Sequence, residues 1–188
     1  MISLFALCLP ILLSAVAVFI VSSIIHMALQ YHKNDFKGLP DEKGVMDALR
    51  AFNIPPGNYH YPRARDMKEY GTPEFASKCE AGPLGFLTVL PNGVPGMSQQ
   101  LVQWFLYSIV VGIFAAYIGR LTLAAGTDYL IVSRVTGTVA FCGYALALMQ
   151  NSIWYKRSWS STLKSMFDGL VYGLVTGGFF GWLWPGVS

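Results

Sequence analysis

The sequence predicts an all-α integral membrane protein with four transmembrane helices and a polar insert between helices 1 and 2. Two observations support this fold class. Of the 188 residues, 54% are hydrophobic and only 12% are charged, whereas ordinary soluble domains carry about 25% charged residues. The apolar residues are also concentrated in long runs. The net charge of +3 is small and gives no argument for nucleic acid as a partner.

The first predicted helix begins at the amino terminus. Residues 2–25 form an apolar run without a charged side chain, and about 20 such residues cross a bilayer. We assign residues 1–32 to this helix and an extension of it, because no helix breaker follows His26. A signal peptide is disfavoured, since no Lys or Arg precedes the apolar run.

Residues 33–99 form the polar insert, in which acidic and basic side chains balance. A short amphipathic helix is predicted over residues 41–52, because its apolar side chains share one helical face. These are Val45, Met46, Leu49 and Phe52. The stretch after it is rich in Pro, Gly and Tyr, which predicts irregular structure. Residues 86–90 are predicted to form a short strand or loop at the membrane interface.

Residues 100–188 are predicted to form a three-helix membrane unit. Its spans cover about 101–120, 129–150 and 167–184, and residues 151–164 are predicted to be a polar connection. Tryptophans lie near the proposed span ends, as in aromatic belts. Lys and Arg residues flank the ends that face the insert. The positive-inside rule therefore places the insert 33–99 in the cytoplasm and both termini outside.

Glycine recurs every four residues in the last span, so that one helical row has no side chains. The row comprises Gly169, Gly173, Gly177 and Gly181. Rows of small residues let membrane helices approach closely. We predict that this row packs within the chain against the second span; packing against another protein is the alternative. The predicted partner row is Ser108, Gly112 and Ala116, although the third span is also rich in small residues.

Two ionisable residues are candidate functional groups. Arg134 is predicted to lie inside the third span. A charged side chain within a membrane span suggests a functional site. The competing interpretation is that it reaches the interface and pairs with Asp128, or that it caps the 124–128 turn. Asp168 begins the fourth span, where it could bind a proton or a cation. The alternative is that Asp168 has only a structural role, because an acidic side chain is favoured at the amino terminus of a helix.

The histidines do not predict a metal site. His26 and His32 are six residues apart and would not share a helical face, and His60 lies in the insert. No P-loop, GxGxxG, GxSxG or HExxH motif is present, so neither a nucleotide site nor a catalytic site is indicated. We therefore expect no enzyme activity, no catalytic residue, no metal and no cofactor.

Three segments resemble a group of small four-helix bacterial inner-membrane proteins with no assigned activity. These segments are NIPPGNYHYP, GPLGFLTVLPNG and DGLVYGLVTGGFFGWLWP. The resemblance covers nearly the whole chain after the first helix. It implies four helices and a location in the bacterial inner membrane, and it assigns no functional residue.

The sequence favours a non-catalytic accessory or scaffold subunit of a larger membrane complex. Its partners would be the lipid bilayer and other membrane subunits, or further copies of itself. The alternative is a small oligomeric transporter or channel for an ion or small solute. Such a protein needs a polar path, for which the candidates are Asp168, Tyr172 and Thr176 with Gln103 and Ser108.

Overall fold

The computed structural model describes residues 2–94 and 96–186, and 66% of the structure is helical. The chain divides into two compact units. The helical unit comprises Met1–Lys37 and Gly96–Ser188, and the polar unit comprises Gly38–Pro95. In sequence, the polar unit therefore lies between the two parts of the helical unit. The predicted bounds of the polar insert, 33 and 99, stay a prediction.

Seven α-helices and two strands are formed by the described residues. In chain order they are α1 (Cys8–Met27), α2 (Glu42–Ala51), β1 (Gly57–Tyr61), α3 (Pro73–Ala81), β2 (Gly85–Val89), α4 (Ser98–Thr122), α5 (Tyr129–Ala145), α6 (Met149–Tyr155) and α7 (Trp159–Trp182). Short 3₁₀ turns precede α1 and α3 and join α5 to α6.

Three helical segments are long and apolar enough to cross a bilayer, which identifies a membrane-associated helical bundle. They are Phe5–Met27, Ser98–Thr122 and Tyr129–Tyr155. Helix α7 has 24 residues, a sufficient length for a crossing, but it is not among the three. Its glycines and the charged Lys164 and Asp168 reduce its hydropathy, so the fourth predicted span stays a prediction.

Two predicted boundaries are wrong. Helix α1 ends at Met27 rather than extending to residue 32, because the chain reverses at Gln30, whose φ is 51°. The predicted polar connection 151–164 is largely helical. Helix α6 continues to Tyr155 and α7 begins at Trp159, so the turn between them occupies only residues 156–158.

The glycine row of α7 packs within the chain, but on α5 rather than on the predicted partner α4. A Cβ atom at Gly173 would lie 3.0 Å from the carbonyl oxygen of Gly137. A Cβ atom at Gly177 would collide with the carbonyl oxygen of Ser133. Gly169 faces Ala145 in the same way, and Gly181 faces Tyr129 and Ser133. The two helices are therefore in close contact from Gly169 to Gly181 of α7.

The predicted partner row on α4 has different neighbours. A Cβ atom at Gly112 would lie 3.3 Å from the Ile11 side chain of α1. Ala116 is fully buried in an apolar cluster with residues of α1, α5 and α7. Ser108 is also buried, and its hydroxyl donates to the Trp104 carbonyl oxygen at 3.0 Å. This row therefore faces the bundle interior without contacting the glycine row.

The polar unit is built from α2, α3 and one antiparallel strand pair. Strands β1 and β2 pair from Gly57 opposite Val89 to Tyr61 opposite Gly85. The predicted helix over 41–52 is present as α2. Of the two alternatives predicted for residues 86–90, strand or loop, the structure has the strand β2. The irregular structure predicted between them is wrong in part, because that stretch contains β1 and α3.

We predict that Gly177→Ala destabilises the bundle and that Gly178→Ala does not. The new methyl group at 177 meets α5 backbone, and overpacking of this kind costs about 1–3 kcal/mol. At 178 the nearest atom is the Tyr129 hydroxyl at 3.5 Å, an ordinary contact. Thermal unfolding in detergent measures the difference between these neighbouring substitutions. Equal unfolding temperatures for the two variants would contradict the contact between α5 and α7.

Candidate functional site

A cluster of ionisable side chains joins the end of α1 to the beginning of α7. The reversal at Gln30 is continued by two tight turns, in which backbone N–H groups donate from Lys33 to Gln30 and from Asp35 to His32. The chain thereby returns to α7 within a few residues of Met27. We call Tyr31, His32, Asp35, Lys164 and Asp168 the polar cluster.

Asp168 is the acceptor at the centre of the polar cluster. Only 3% of this residue is exposed. One carboxylate oxygen accepts a hydrogen bond from the Tyr31 hydroxyl. The other oxygen lies 2.7 Å from Nε2 of His32. A buried carboxylate is costly unless it is hydrogen-bonded and paired, and both requirements are met here by residues that follow α1.

Asp35 holds the second ring nitrogen of His32. Its carboxylate lies 2.7 Å from Nδ1 of His32 and 2.9 Å from Nζ of Lys164. Nζ of Lys164 also donates to the Tyr31 carbonyl oxygen at 2.8 Å. His32 is therefore fixed between two carboxylates, one from the loop after α1 and one from α7.

These contacts shift the ionisation of two loop residues. Burial opposes the charged form of Asp35, but the hydrogen bonds from His32 and Lys164 outweigh it and lower the pKa of the carboxyl from 3.8 to about 2. Burial raises the pKa of the Tyr31 hydroxyl, and the hydrogen bond to Asp168 raises it further. Asp35 therefore remains ionised, and Tyr31 remains a hydrogen-bond donor, at neutral pH.

Polar side chains continue from Asp168 into the bundle. Tyr172 and Thr176 follow Asp168 at intervals of four residues on α7, and both are buried. The Tyr172 ring lies 5.5 Å from that of Tyr144 and 5.7 Å from that of Trp104. The Tyr172 hydroxyl is buried, and it has no hydrogen-bond partner among the residues that the structure describes. Three of the predicted path residues thus face the interior, as does Ser108, whereas Gln103 is exposed.

The other two predicted candidates are not part of this site. The Asp128 side chain accepts a hydrogen bond from the backbone N–H of Leu130 at 2.9 Å and caps α5. Arg134 is exposed, and no salt bridge to Asp128 is formed in the described part of the chain. The predicted pairing of these two residues is therefore wrong, because Asp128 is turned toward its own helix.

Sequence reasoning identified Asp168 but missed the residues that bind it. The assumption of a continuous helix placed His26 and His32 on different faces. The reversal at Gln30 instead brings their rings to 4.8 Å between centroids. The available signal was the dense run of polar and aromatic side chains in residues 30–35, directly after an apolar span.

Comparison with family models, with curated proteins and with solved structures gave no match to this chain.

We predict an acid-sensitive contribution of Asp35 to stability. Because its pKa is lower in the folded chain than the ordinary 3.8, the stabilisation is complete above about pH 4 and is lost as the pH falls toward 2. Unfolding midpoints measured across this range should fall more steeply for the wild type than for Asp35→Asn. Asp66→Asn, at an exposed loop position of the polar unit, should behave like the wild type. A profile unchanged by Asp35→Asn would contradict the prediction.

Proposed function

We propose that this protein is a non-catalytic accessory subunit of a larger protein complex in the bacterial inner membrane. In this proposal α7 is the fourth span, the polar unit is cytoplasmic and both termini are outside. The excess of Lys and Arg at the corresponding span ends supports this orientation.

The observation that carries the proposal is the uncovered apolar surface of the polar unit. Among its described residues only Ala64 and Phe75 are buried hydrophobic side chains. The apolar face of α2 is exposed, including 51% of Met46 and 74% of Phe52. An isolated two-stranded hairpin is marginally stable in water. A unit with so small a core is expected to cover this surface by binding another molecule.

A protein partner fits this surface better than a lipid surface does. The face of α2 and strand β2 form a groove of about 450 Å³. Apolar side chains lie beside polar ones along it: Met46, Leu49, Ile54 and Leu87 with Arg50 and Asn92. A concave groove with mixed walls suits an inserted side chain or peptide segment. The unit contains seven acidic and six basic residues, so it has no basic surplus for anionic headgroups.

The helical unit provides a rigid anchor for such a role. Backbone contact along α5 and α7 leaves little freedom for these helices to slide. Hydrogen bonds also tie neighbouring helices together. The Trp104 indole donates to the Ser22 hydroxyl at 2.9 Å, and the Tyr107 hydroxyl donates to the Gly143 carbonyl oxygen at 2.6 Å.

The test is whether the groove holds the protein in a complex. We expect the untagged wild type, extracted gently from its own membranes, to migrate with partner chains at fixed stoichiometry. The double variant Met46→Ser and Leu49→Ser should leave that complex, with the bound fraction reduced roughly tenfold or more, since buried anchors cost more than about 1 kcal/mol each. Native electrophoresis with mass analysis measures the bound fraction.

The matched control is Ala51→Ser, on a different side of the same helix. It should leave the complex intact. Limited proteolysis establishes that the polar unit of each variant is folded. A wild type that migrates alone, or equal loss of the complex in the control, would overturn the proposal.

A second function, transport of a cation or proton, is favoured by one observation. The row Asp168, Tyr172 and Thr176 is buried and leads from the polar cluster into the bundle, where Ser108 is also buried. An ionisable group in such a position is typical of ion and proton pathways.

Flux through reconstituted vesicles tests transport. If the row conducts, Asp168→Asn should abolish proton or alkali-cation flux, because it removes the charge while keeping the shape. Asp128→Asn, the same change at the cap of α5, should retain flux. Size-exclusion profiles establish that both variants are monodisperse. The absence of flux in the wild type, or flux unaffected by Asp168→Asn, would reject transport.

A further inference from the structure

We propose that His26, His32 and Asp168 bind one divalent transition-metal ion. This site uses no residue of the groove in the accessory proposal. It shares Asp168 with the transport proposal, on which it does not depend.

The three side chains converge from two segments of the chain. His26 lies in the last turn of α1, His32 follows the reversal at Gln30, and Asp168 lies on α7. One ligand atom from each residue is within 4.8 Å of the other two. Metal bonds to imidazole nitrogen and carboxylate oxygen are about 2.0–2.2 Å long, so small side-chain rotations bring all three atoms to one ion.

The donor set selects the class of ion. Two imidazoles and one carboxylate suit Zn²⁺, Fe²⁺, Co²⁺ and Ni²⁺, whereas Mg²⁺ and Ca²⁺ prefer oxygen ligands alone. No cysteine belongs to the group, which disfavours Cu⁺.

Asp35 supplies the outer contact that metal-binding histidines ordinarily have. A ligating imidazole usually donates its other ring N–H to a carboxylate, which fixes its tautomer and orientation. Nδ1 of His32 lies 2.7 Å from Asp35, and Lys164 holds that carboxylate in turn. With Nδ1 donating to Asp35, the lone pair of Nε2 points toward Asp168.

The contact between His32 and Asp168 requires a positive charge between the two atoms, either a proton or a metal ion. Nε2 and the carboxylate oxygen are 2.7 Å apart, and two lone pairs at that distance repel each other. Without an ion, the contact needs a proton on Nε2. Binding of M²⁺ therefore releases that proton to solvent while the ion bonds to the nitrogen and to the oxygen. Tyr31 continues to donate to Asp168, and Lys164 continues to hold Asp35.

The site is open on one side. His26 is exposed and borders a surface groove of about 530 Å³, together with Met27, Gln30, His32 and Lys33. An ion can enter through this groove, and water can occupy its remaining coordination positions. The neighbouring ammonium groups of Lys33 and Lys164 disfavour a cation, so the three ligands must outweigh this repulsion.

The experiment uses the full chain, untagged, purified in detergent and treated with chelator. Titration with Zn²⁺ by calorimetry should show one ion per chain, and Co²⁺ should give visible absorption bands from the same site. We expect His26→Ala to weaken Zn²⁺ binding at least about tenfold, as loss of a ligand does. Because His26 is exposed and its ring contacts that of His32 at the surface, this variant should fold.

Two further variants complete the test. His60→Ala, on strand β1, should bind Zn²⁺ like the wild type. Asp35→Asn should retain one site with an affinity reduced about 10- to 100-fold. Absence of stoichiometric binding by the wild type, wild-type affinity in His26→Ala, or equal weakening in His60→Ala would each overturn the proposal.

Discussion

The backbone contact between α5 and α7 determines the arrangement of the helical unit. Since the row of Gly169, Gly173 and Gly177 must face α5, the rotation of α7 about its own axis is fixed. The adjacent row, which starts at Asp168, is then turned toward the interior and toward α1. Small residues on both helices allow this close approach. Any other rotation of α7 would place larger side chains between the two helices. The buried position of Asp168 follows from glycines on the neighbouring row.

A buried carboxylate in turn constrains the chain that follows α1. Asp168 needs hydrogen-bond donors, and the non-helical segment after Met27 lies next to it. Tyr31 and His32 reach this carboxylate only if the helix stops and reverses. The local sequence permits a longer helix, because no residue between His26 and His32 prevents one. The contacts with Asp168, in contrast, require the helix to end. The tertiary requirement prevails, as is common where helix propensity is only a weak preference.

The helices were predictable where a single feature of the local sequence was sufficient to identify them. Apolar runs placed α1, α4 and α5, and apolar periodicity placed α2. Helix α3 also had a readable signal, because Thr72 caps it and Pro73 opens it, but Pro-rich surroundings favoured a loop. The partner of the glycine row could not be chosen from spacing alone, since α4 and α5 both carry small residues. The polar cluster depends on a contact between residues more than 130 positions apart, which no local pattern encodes.

The insertion of the polar unit between α1 and α4 makes the chain divisible. A single backbone cut between residues 38 and 95 separates an amino-terminal fragment that carries α1 and the loop after it from a carboxyl-terminal fragment that carries α4 to α7. The two fragments still share the apolar clusters and the hydrogen bonds of Tyr31 and His32 to Asp168. Both are also confined to the same bilayer, which keeps their effective concentration high. The protein is accordingly expected to reassemble from two separately produced pieces.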